Sequence, residues 1–585
     1  MAESSAMTME RPAQSKTATR TRKRPSSRKS VVQMHPMTRV GGSFGIDFEH
    51  DGDQITNAAA TGNLFRGYEN LMQGRDARDA IDLTSRVCGW CGSIHATTSA
   101  MACEMAWGLQ PRPMATAIRN IATATDAIWV HAAHLAVRVG PDFCAPVIAA
   151  SNPRIWDLAQ RTRAPGGAIH GYQTIADIME GMTPVTGRYW TETIPAGRRV
   201  QQMIMLLYGK WPHPSVLVPG GLASTFTIET FVNYFTRLYL SVDYVKVVIS
   251  MWDDLLDFLL EVDERFEYLG ERPASFIHAG MWDDIRSENG WATIDDYARL
   301  RLASPGVMIN GQMVTERMTD VHNGIEEHVS HSYFEQQNAG GPNPYGSLPP
   351  NHPALNRLIP RPGQRDRQGK YSWCTAPRWK GEVLESTPLG RLWFTAIRQD
   401  FPSNRFPASE MPGQEDFLIR PTGKSVEIVI PLNFLPEMIV EWKIPQRNNA
   451  LERIRADAYG IAFAGLSAAI ALLKGFELTR TGETWRSIPF HVPSGETAGV
   501  GLFESGRGMN LHWLQTNKGK VTNYSIVGPS TWNASPRDDA GKPGPIEEAL
   551  IGSPIIEEPA DGNLRGIDAM RVVHSYDPCM SCGVQ

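Results

Sequence analysis

Apolar positions along this chain follow a helical rhythm over long stretches and strand alternation only locally. Between residues 226 and 265, Phe231, Tyr234, Phe235, Leu238, Val242, Val245, Ile249 and Trp252 recur every three or four positions. That spacing puts them on one face of a long central helix. Its far end carries Asp253, Asp254, Asp257, Glu261, Asp263 and Glu264, which reads as a solvated surface. Residues 113–138 are Ala-rich with apolar residues at helical spacing, and residues 449–474 give another helix. Inside the latter, Ala458–Leu473 is almost wholly apolar, yet shorter than the roughly 18 residues a membrane span needs. It reads as a helix buried in protein, where Ala and Gly allow close neighbours. No transmembrane segment is expected.

Strand signals are fewer. Gly45–Phe48 and Gln54–Asn57 predict a β-hairpin around His50-Asp51-Gly52-Asp53. Val521–Val527 predicts a strand. Residues 335–382, with Gly340-Gly341-Pro342 and Pro360-Arg361-Pro362-Gly363, read as loop. Residues 484–585 read as short segments broken by Gly, Pro and Asn. There is no internal repeat and no clean linker. The expected architecture is mainly α with peripheral β (α+β), one compact unit over residues 34–585 around a long-helix bundle.

Composition alters this picture little, but charge adds a feature. Apolar residues make up 42% and charged residues 20% of the 585, as in ordinary soluble domains. Seven cysteines are too few and odd in number for a disulfide framework, so reduced thiols are expected. Residues 1–30 hold eight Lys/Arg against Glu3 and Glu10, so the net −5 of the whole leaves −11 on the body. An acidic body speaks against nucleic acid as a partner. Residues 1–33 read as a basic, disordered, solvated tail, with an arm touching nucleic acid or membrane as the alternative. Arg22-Lys23-Arg24 is followed by no apolar segment, so the tail is no export signal.

The candidate chemistry sits at opposite ends. Arg86-Val87-Cys88-Gly89-Trp90-Cys91 precedes His95, and Asp577-Pro578-Cys579-Met580-Ser581-Cys582 lies near the C-terminus. Two thiolates three residues apart can address one centre, and two such pairs supply four donors suited to a soft metal. Zinc ribbons keep their pairs within roughly 15–20 residues. A site joining both chain ends must lie in the core, where structural zinc is seldom needed. Spacing alone leaves zinc and another metal both open. Cys103, Cys144 and Cys374 stand alone and read as buried apolar fillers.

Taken together, R-x-C-G-x-C-x-x-x-H and D-P-C-x-x-C resemble the paired signature of nickel–iron hydrogenase large subunits. The resemblance extends over nearly the whole chain after residue 34. It takes in Pro36–Gly42, Phe65–Glu69, Pro212–Pro214, Val218–Gly221, Ala376–Gly381 and Glu385–Arg391. It continues through Glu504–Gly508, His512-Trp513, Pro529–Pro536 and Gly544–Leu550. It implies that Cys88, Cys91, Cys579 and Cys582 bind nickel, with Cys91 and Cys582 bridging to an iron that carries CO and cyanide. Cys88 and Cys579 are then terminal ligands, and Cys579 is the base for the proton released when H2 is cleaved. Arg507 is implied above the metals, polarising H2 and holding a cyanide; a surface salt bridge is its alternative. Ser530 would donate to the other cyanide, and Asp577 would orient Arg507. His95 would tune a bridging sulfur, or be a satisfied core histidine. Glu69, otherwise a helix-surface acid, would ligate a magnesium-type ion with the C-terminal residue Gln585.

Three departures stand out. The family's Arg-Ile-Glu-Gly-His is Arg39-Val40-Gly41-Gly42-Ser43 here, so the usual relay glutamate is a glycine. Its Glu-Ala-Pro-Arg-Gly is Glu504-Ser505-Gly506-Arg507-Gly508, and its terminal histidine is Gln585. Cysteines for iron–sulfur clusters are lacking, so an iron–sulfur small subunit is expected as partner, with further oligomerisation of the heterodimer. Maturation protease and metal-insertion factors are implied, since large subunits of this family end near this point after an extension is removed. The expected location is cytoplasmic, with membrane association through partners. An H2-sensing protein with the same metals is the first rival. A non-catalytic relative, such as the quinone-side subunit of respiratory complex I, is opposed by the four cysteines.

Overall fold

The computed structural model describes residues 30–584, apart from 225, 286, 365–368, 399–417 and 431–434. A three-stranded antiparallel sheet opens the chain: β1 (Ser30–Met34), β2 (Phe44–His50) and β3 (Ile55–Gly62). The expected hairpin is its second half, longer than anticipated. Asp51 Oδ1 closes the turn by accepting from the Asp53 and Gln54 amides, each at 3.0 Å. β1 corrects the tail boundary. Val31 and Val32 suit an extended backbone, and Ser30–Met34 pairs residue by residue with Ile46–His50. Residues 1–29 of the expected tail lie outside the described residues.

Five long helices form the body: α1 (Gly92–Trp107), α2 (Pro113–Ala133), α3 (Arg188–Tyr208), α4 (Ile228–Val262) and α5 (Ala450–Thr481). α4 and α5 are the predicted long helices. Thr227 caps α4 by accepting from the Thr230 amide, and Asn449 caps α5 by accepting from the Glu452 amide at 2.9 Å. α5 packs most extensively on α2, and α4 lies across α5 and α3. α5 is apolar on every side over its middle, Ala458–Leu473, because almost all of that stretch is buried. Among the described residues it is the one helix long and apolar enough to cross a membrane, and most of that stretch is buried. The acidic end of α4 is not simply solvated. Asp253 and Asp257 hold Arg455 of α5 at 2.5 and 2.6 Å, and Asp254 accepts from the Gly166 amide at 2.7 Å.

The C-terminal third departs from expectation. It contains a buried antiparallel sheet, β4 (Glu496–Ser505), β5 (Gly508–Asn517) and β6 (Lys520–Val527), with α1 lying against it. Residues 335–382, expected as loop, contribute strands Asn356–Pro360 and Ala376–Trp379. The chain ends in α6 (Ile567–His574) and the single turn α7 (Met580–Gly583). The mainly α architecture with peripheral β thus stands, with one buried sheet added at its centre.

Candidate metal centre

The first cysteine pair belongs to the start of α1. The amides of Trp90 and Cys91 donate to Cys88 Sγ at 3.2 and 3.3 Å, and the Cys91 carbonyl accepts from His95 at 3.0 Å. The helix can begin there only with a glycine: a Cβ on Gly92 would lie 2.4 Å from the Pro212 oxygen. The second pair is held by distant chain. Gly41 donates to the Pro578 oxygen at 3.1 Å, and its own oxygen accepts from Ser581 at 3.2 Å. The Cys579 amide donates to Ser530 Oγ at 2.8 Å.

These tethers bring all four sulfurs within 4.8 Å of one another, fully enclosed. Cys579 Sγ lies 3.2 Å from Cys88 Sγ and 3.4 Å from Cys582 Sγ. Hydrogen bonds from Cys582, Cys88 and Cys91, with the Arg507 charge, hold Cys579 well below the usual thiol range. Among the described residues this is the one group of three or more Cys, His, Asp or Glu ligand atoms close enough to share an ion.

Arg507 projects from the two-residue turn between β4 and β5. It is buried, not a surface ion pair. Its Nη1 donates to Cys91 Sγ at 2.9 Å, and its Nε lies 2.6 Å from Asp577 Oδ2. Burial works against its charge, but Asp577 and the sulfurs of Cys91, Cys579 and Cys88 outweigh burial and keep it protonated. Asp577 is shared with Arg138, which sequence reasoning missed. The Arg138 guanidinium lies over the Trp90 ring at 4.7 Å.

His95 Nε2 lies 3.4 Å from Cys582 Sγ, and its Nδ1 lies 2.9 Å from His512 Nε2. His512 Nδ1 in turn meets the Tyr524 hydroxyl at 2.8 Å. Burial pushes His95 down to about 4 and His512 well below the usual range, so both rings are neutral. His512, part of the His512-Trp513 motif, and Tyr524, on the predicted strand Val521–Val527, were given no role at the site; they sit on β5 and β6.

Glu69 is enclosed, not a surface acid. Its Oε1 accepts from the Ile526 amide at 2.7 Å. Burial and the neighbouring Glu327 push it up to about 8, and burial pushes Glu327 to about 7. Nothing in the sequence marked Glu327. Gln585, the expected second ligand, lies outside the described residues.

The family model described as nickel-dependent hydrogenase matches residues 66–168, 185–406 and 463–585. The chain belongs to the nickel-dependent hydrogenase family. It is 27% identical to the periplasmic [NiFeSe] hydrogenase large subunit of Desulfomicrobium baculatum, and 28% identical to the uptake hydrogenase large subunit of Bradyrhizobium diazoefficiens. Each match covers 95% of both chains. The actinobacterial-type NiFe-hydrogenase structure from Ralstonia eutropha H16 superposes with a TM-score of 0.89 at 35% identity. That match covers 95% of this chain and all of the other. In this hydrogenase chain Gly41 lies directly against the second pair: a Cβ there would sit 2.9 Å from Cys579 Sγ.

The residues fit a nickel-containing group. Four thiolate donors suit nickel and exclude hard cations. Arg507 Nη2 is a buried donor with no partner beside the sulfurs, as expected where it would meet a ligand of the group.

Proposed function

We propose that this chain is the catalytic large subunit of an H2-oxidising nickel–iron hydrogenase that passes electrons to an iron–sulfur small subunit. The observation that carries the reading is the convergence of Cys88, Cys91, Cys579 and Cys582 within 4.8 Å, with Arg507 on Cys91. When bound, the nickel–iron group, with CO and cyanide on its iron, supplies heterolytic cleavage of H2 to protons and electrons.

The chain's own residues hold and tune that group. Cys88, Cys91, Cys579 and Cys582 would hold it, Cys88 and Cys579 on the nickel alone and Cys91 and Cys582 on nickel and iron together. A metal-bound thiolate keeps a lone pair, and Cys579 would be the acceptor for the released proton. Arg507 would stabilise charge developing at the metals, and its unpartnered Nη2 is free to donate to a cyanide. Ser530 uses an oxygen lone pair on the Cys579 amide and keeps its O–H for the other cyanide. Asp577 would aim Arg507, and His95, with Nε2 3.4 Å from the Cys582 sulfur, would tune that sulfur. Maturation factors and a processing protease, oligomerisation of the heterodimer, and a cytoplasmic location with membrane contact through partners complete the proposal.

Two of the relatives named above are an uptake and a periplasmic hydrogenase, which favours turnover over H2 sensing. Metal analysis and infrared spectroscopy of the chain matured with its partner test the reading. Nickel, iron and bands from CO and cyanide are expected, together with dye reduction under H2. Zinc without such bands sinks it.

A magnesium-type ion on Glu69 is part of the same proposal. Both Glu69 and Glu327 titrate above the usual carboxylate range. Without a cation they hold protons in the folded state that the unfolded chain has lost, so stability falls as pH rises from the ordinary value of 4.5 up to about 7 to 8. A divalent cation binds the ionised form, so its stabilisation grows with pH. Chelation should therefore lower Tm more at pH 8.5 than at pH 6. An equal or smaller loss at pH 8.5 removes Glu69 from the ligand set.

A further inference from the structure

Beyond the metal centre, Leu418–Pro421, Ser425–Ile430 and Met438–Lys443 form a three-stranded antiparallel sheet with Met438–Lys443 as an outer strand. The Ile444 amide donates to the Lys424 oxygen at 2.9 Å. By alternation the amides and carbonyls of Ile439, Glu441 and Lys443 therefore point away from the sheet. Among the described residues none of these groups has a backbone partner. The Ile439 side chain on the same strand is 67% exposed. Such an edge is a template for another strand.

The edge borders a groove whose other wall is the second half of α4 and the turn after it, from Lys246 to Glu267. Two adjoining cavities of about 540 and 580 Å³ make up the groove and share Asp253, Glu441 and Tyr459. Each is of a size that holds a ligand. Seven carboxylates line the groove against four Lys/Arg, so the occupant this charge selects is cationic. Trp442 lines it too. That indole is buried and its Nε1 has no acceptor, a donor left for a carbonyl of the occupant.

The chain carries a segment of the required chemistry. Residues 11–29 hold eight Lys/Arg and no acid. Within them Thr17, Thr19 and Thr21 alternate with Ala18, Arg20 and Arg22, and Arg24 continues the second set. As a strand, this puts threonines on one face and Arg20, Arg22 and Arg24 on the other, and β-branched Thr suits that conformation. The root of the tail is linked to the groove by contacts. Ser30 pairs with His50. In the turn that follows, the Asp53 oxygen accepts from the Ile555 amide at 3.0 Å. The Ile555 oxygen accepts from Arg265 at 3.3 Å, two residues before Glu267. From Ser30 back to Thr17 the extended chain reaches about 45 Å. A second copy is a poorer occupant, because pairing two such edges antiparallel would set like-charged acids against one another.

We propose that the chain's own basic segment, residues 11–29, docks in this groove, with the Thr–Arg alternation of residues 17–24 added as a strand to the outer edge of Met438–Lys443. Arg20, Arg22 and Arg24 then meet the groove's carboxylates. Main-chain bonds supply the grip and charge the selectivity. The tail thereby covers an edge that would otherwise recruit strands from other chains. The inference stands apart from the chemistry at the cysteines.

Amide hydrogen exchange in the matured heterodimer tests the docking. At low salt the amides of Ile439, Glu441 and Lys443 should exchange at least tenfold more slowly in the parent than after removal of residues 1–29, and high salt should narrow the gap. Arg20→Glu, Arg22→Glu and Arg24→Glu together should expose the same amides. Adding Glu437→Lys and Glu441→Lys to that variant should restore most of the protection, which a change that merely loosened the sheet would not do. Rates within twofold of each other in parent and truncated enzyme overturn the proposal: both fast means an empty groove, both slow another occupant. If the truncated chain does not assemble, the triple arginine variant decides by the same criterion.

Discussion

The two cysteine pairs reach one point by different means. Cys88 and Cys91 stand at the head of a sixteen-residue buried helix, and their geometry is set locally by amides donating to Cys88 Sγ. Cys579 and Cys582 stand on a single four-residue turn that could not hold its shape alone. Gly41 and Ser530, both distant in sequence, fix it. The first pair is therefore a product of secondary structure and the second of tertiary assembly. Closing the site therefore waits on the fold.

The sharpest way to break the comparison is to remove a donor. Cys579→Ala takes away a terminal ligand and the proposed base together. Turnover should fall by more than about a thousandfold, since base and metal contributions combine, and nickel content should drop with it. Full nickel and activity would remove Cys579 from the site.

Arg507 joins the two pairs, with Nη1 on Cys91 Sγ and Nε on Asp577 beside Cys579. Arg507→Lys keeps the charge but cannot hold both contacts at once. Turnover should fall by about 10²–10³, the usual loss for a preorganised donor at developing charge, with the cyanide bands shifted. Unshifted bands would place the guanidinium away from the iron ligands.

A milder change probes the second pair's dependence on distant chain. Ser530→Ala leaves the buried Cys579 amide without an acceptor, a loss of roughly 1–3 kcal/mol, read as a lowered Tm. It should also move one cyanide band and leave the other. A matching change at the first pair has no such remote target, because its amides bond within the motif.

The contrast also explains what the sequence made legible. α2, α4 and α5 declare themselves because each buries a wide face, and apolar spacing records that directly. β4 and β5 do not alternate, since both faces are covered. Their glycines read as breakers but are close approaches: a Cβ on Gly501 would lie 1.9 Å from the Thr98 oxygen, and one on Gly499 2.3 Å from the Ala102 oxygen. The cysteines, Arg507, His95, Asp577 and Ser530 were legible through spacing and resemblance, and the fold brings them together. Arg138 and Glu327 were not, because their partners come from remote chain.

The smallest effect is expected at Cys374, and it separates position from chemistry. This thiol is fully buried, and its Sγ lies 3.3 Å from the Gly583 oxygen, against the very turn that carries the second pair. Burial pushes it far above the usual thiol range, so it stays protonated. It is a small apolar filler with a weak S–H donor. Cys374→Ala should cost about 1 kcal/mol, the scale for losing one small buried group, and leave nickel content unchanged and turnover within twofold. A large activity loss with intact stability would mean that α7 transmits sub-ångström shifts to Cys579 and Cys582. The second pair would then be set not by its tethers to Gly41 and Ser530 alone but by the packing beneath it as well.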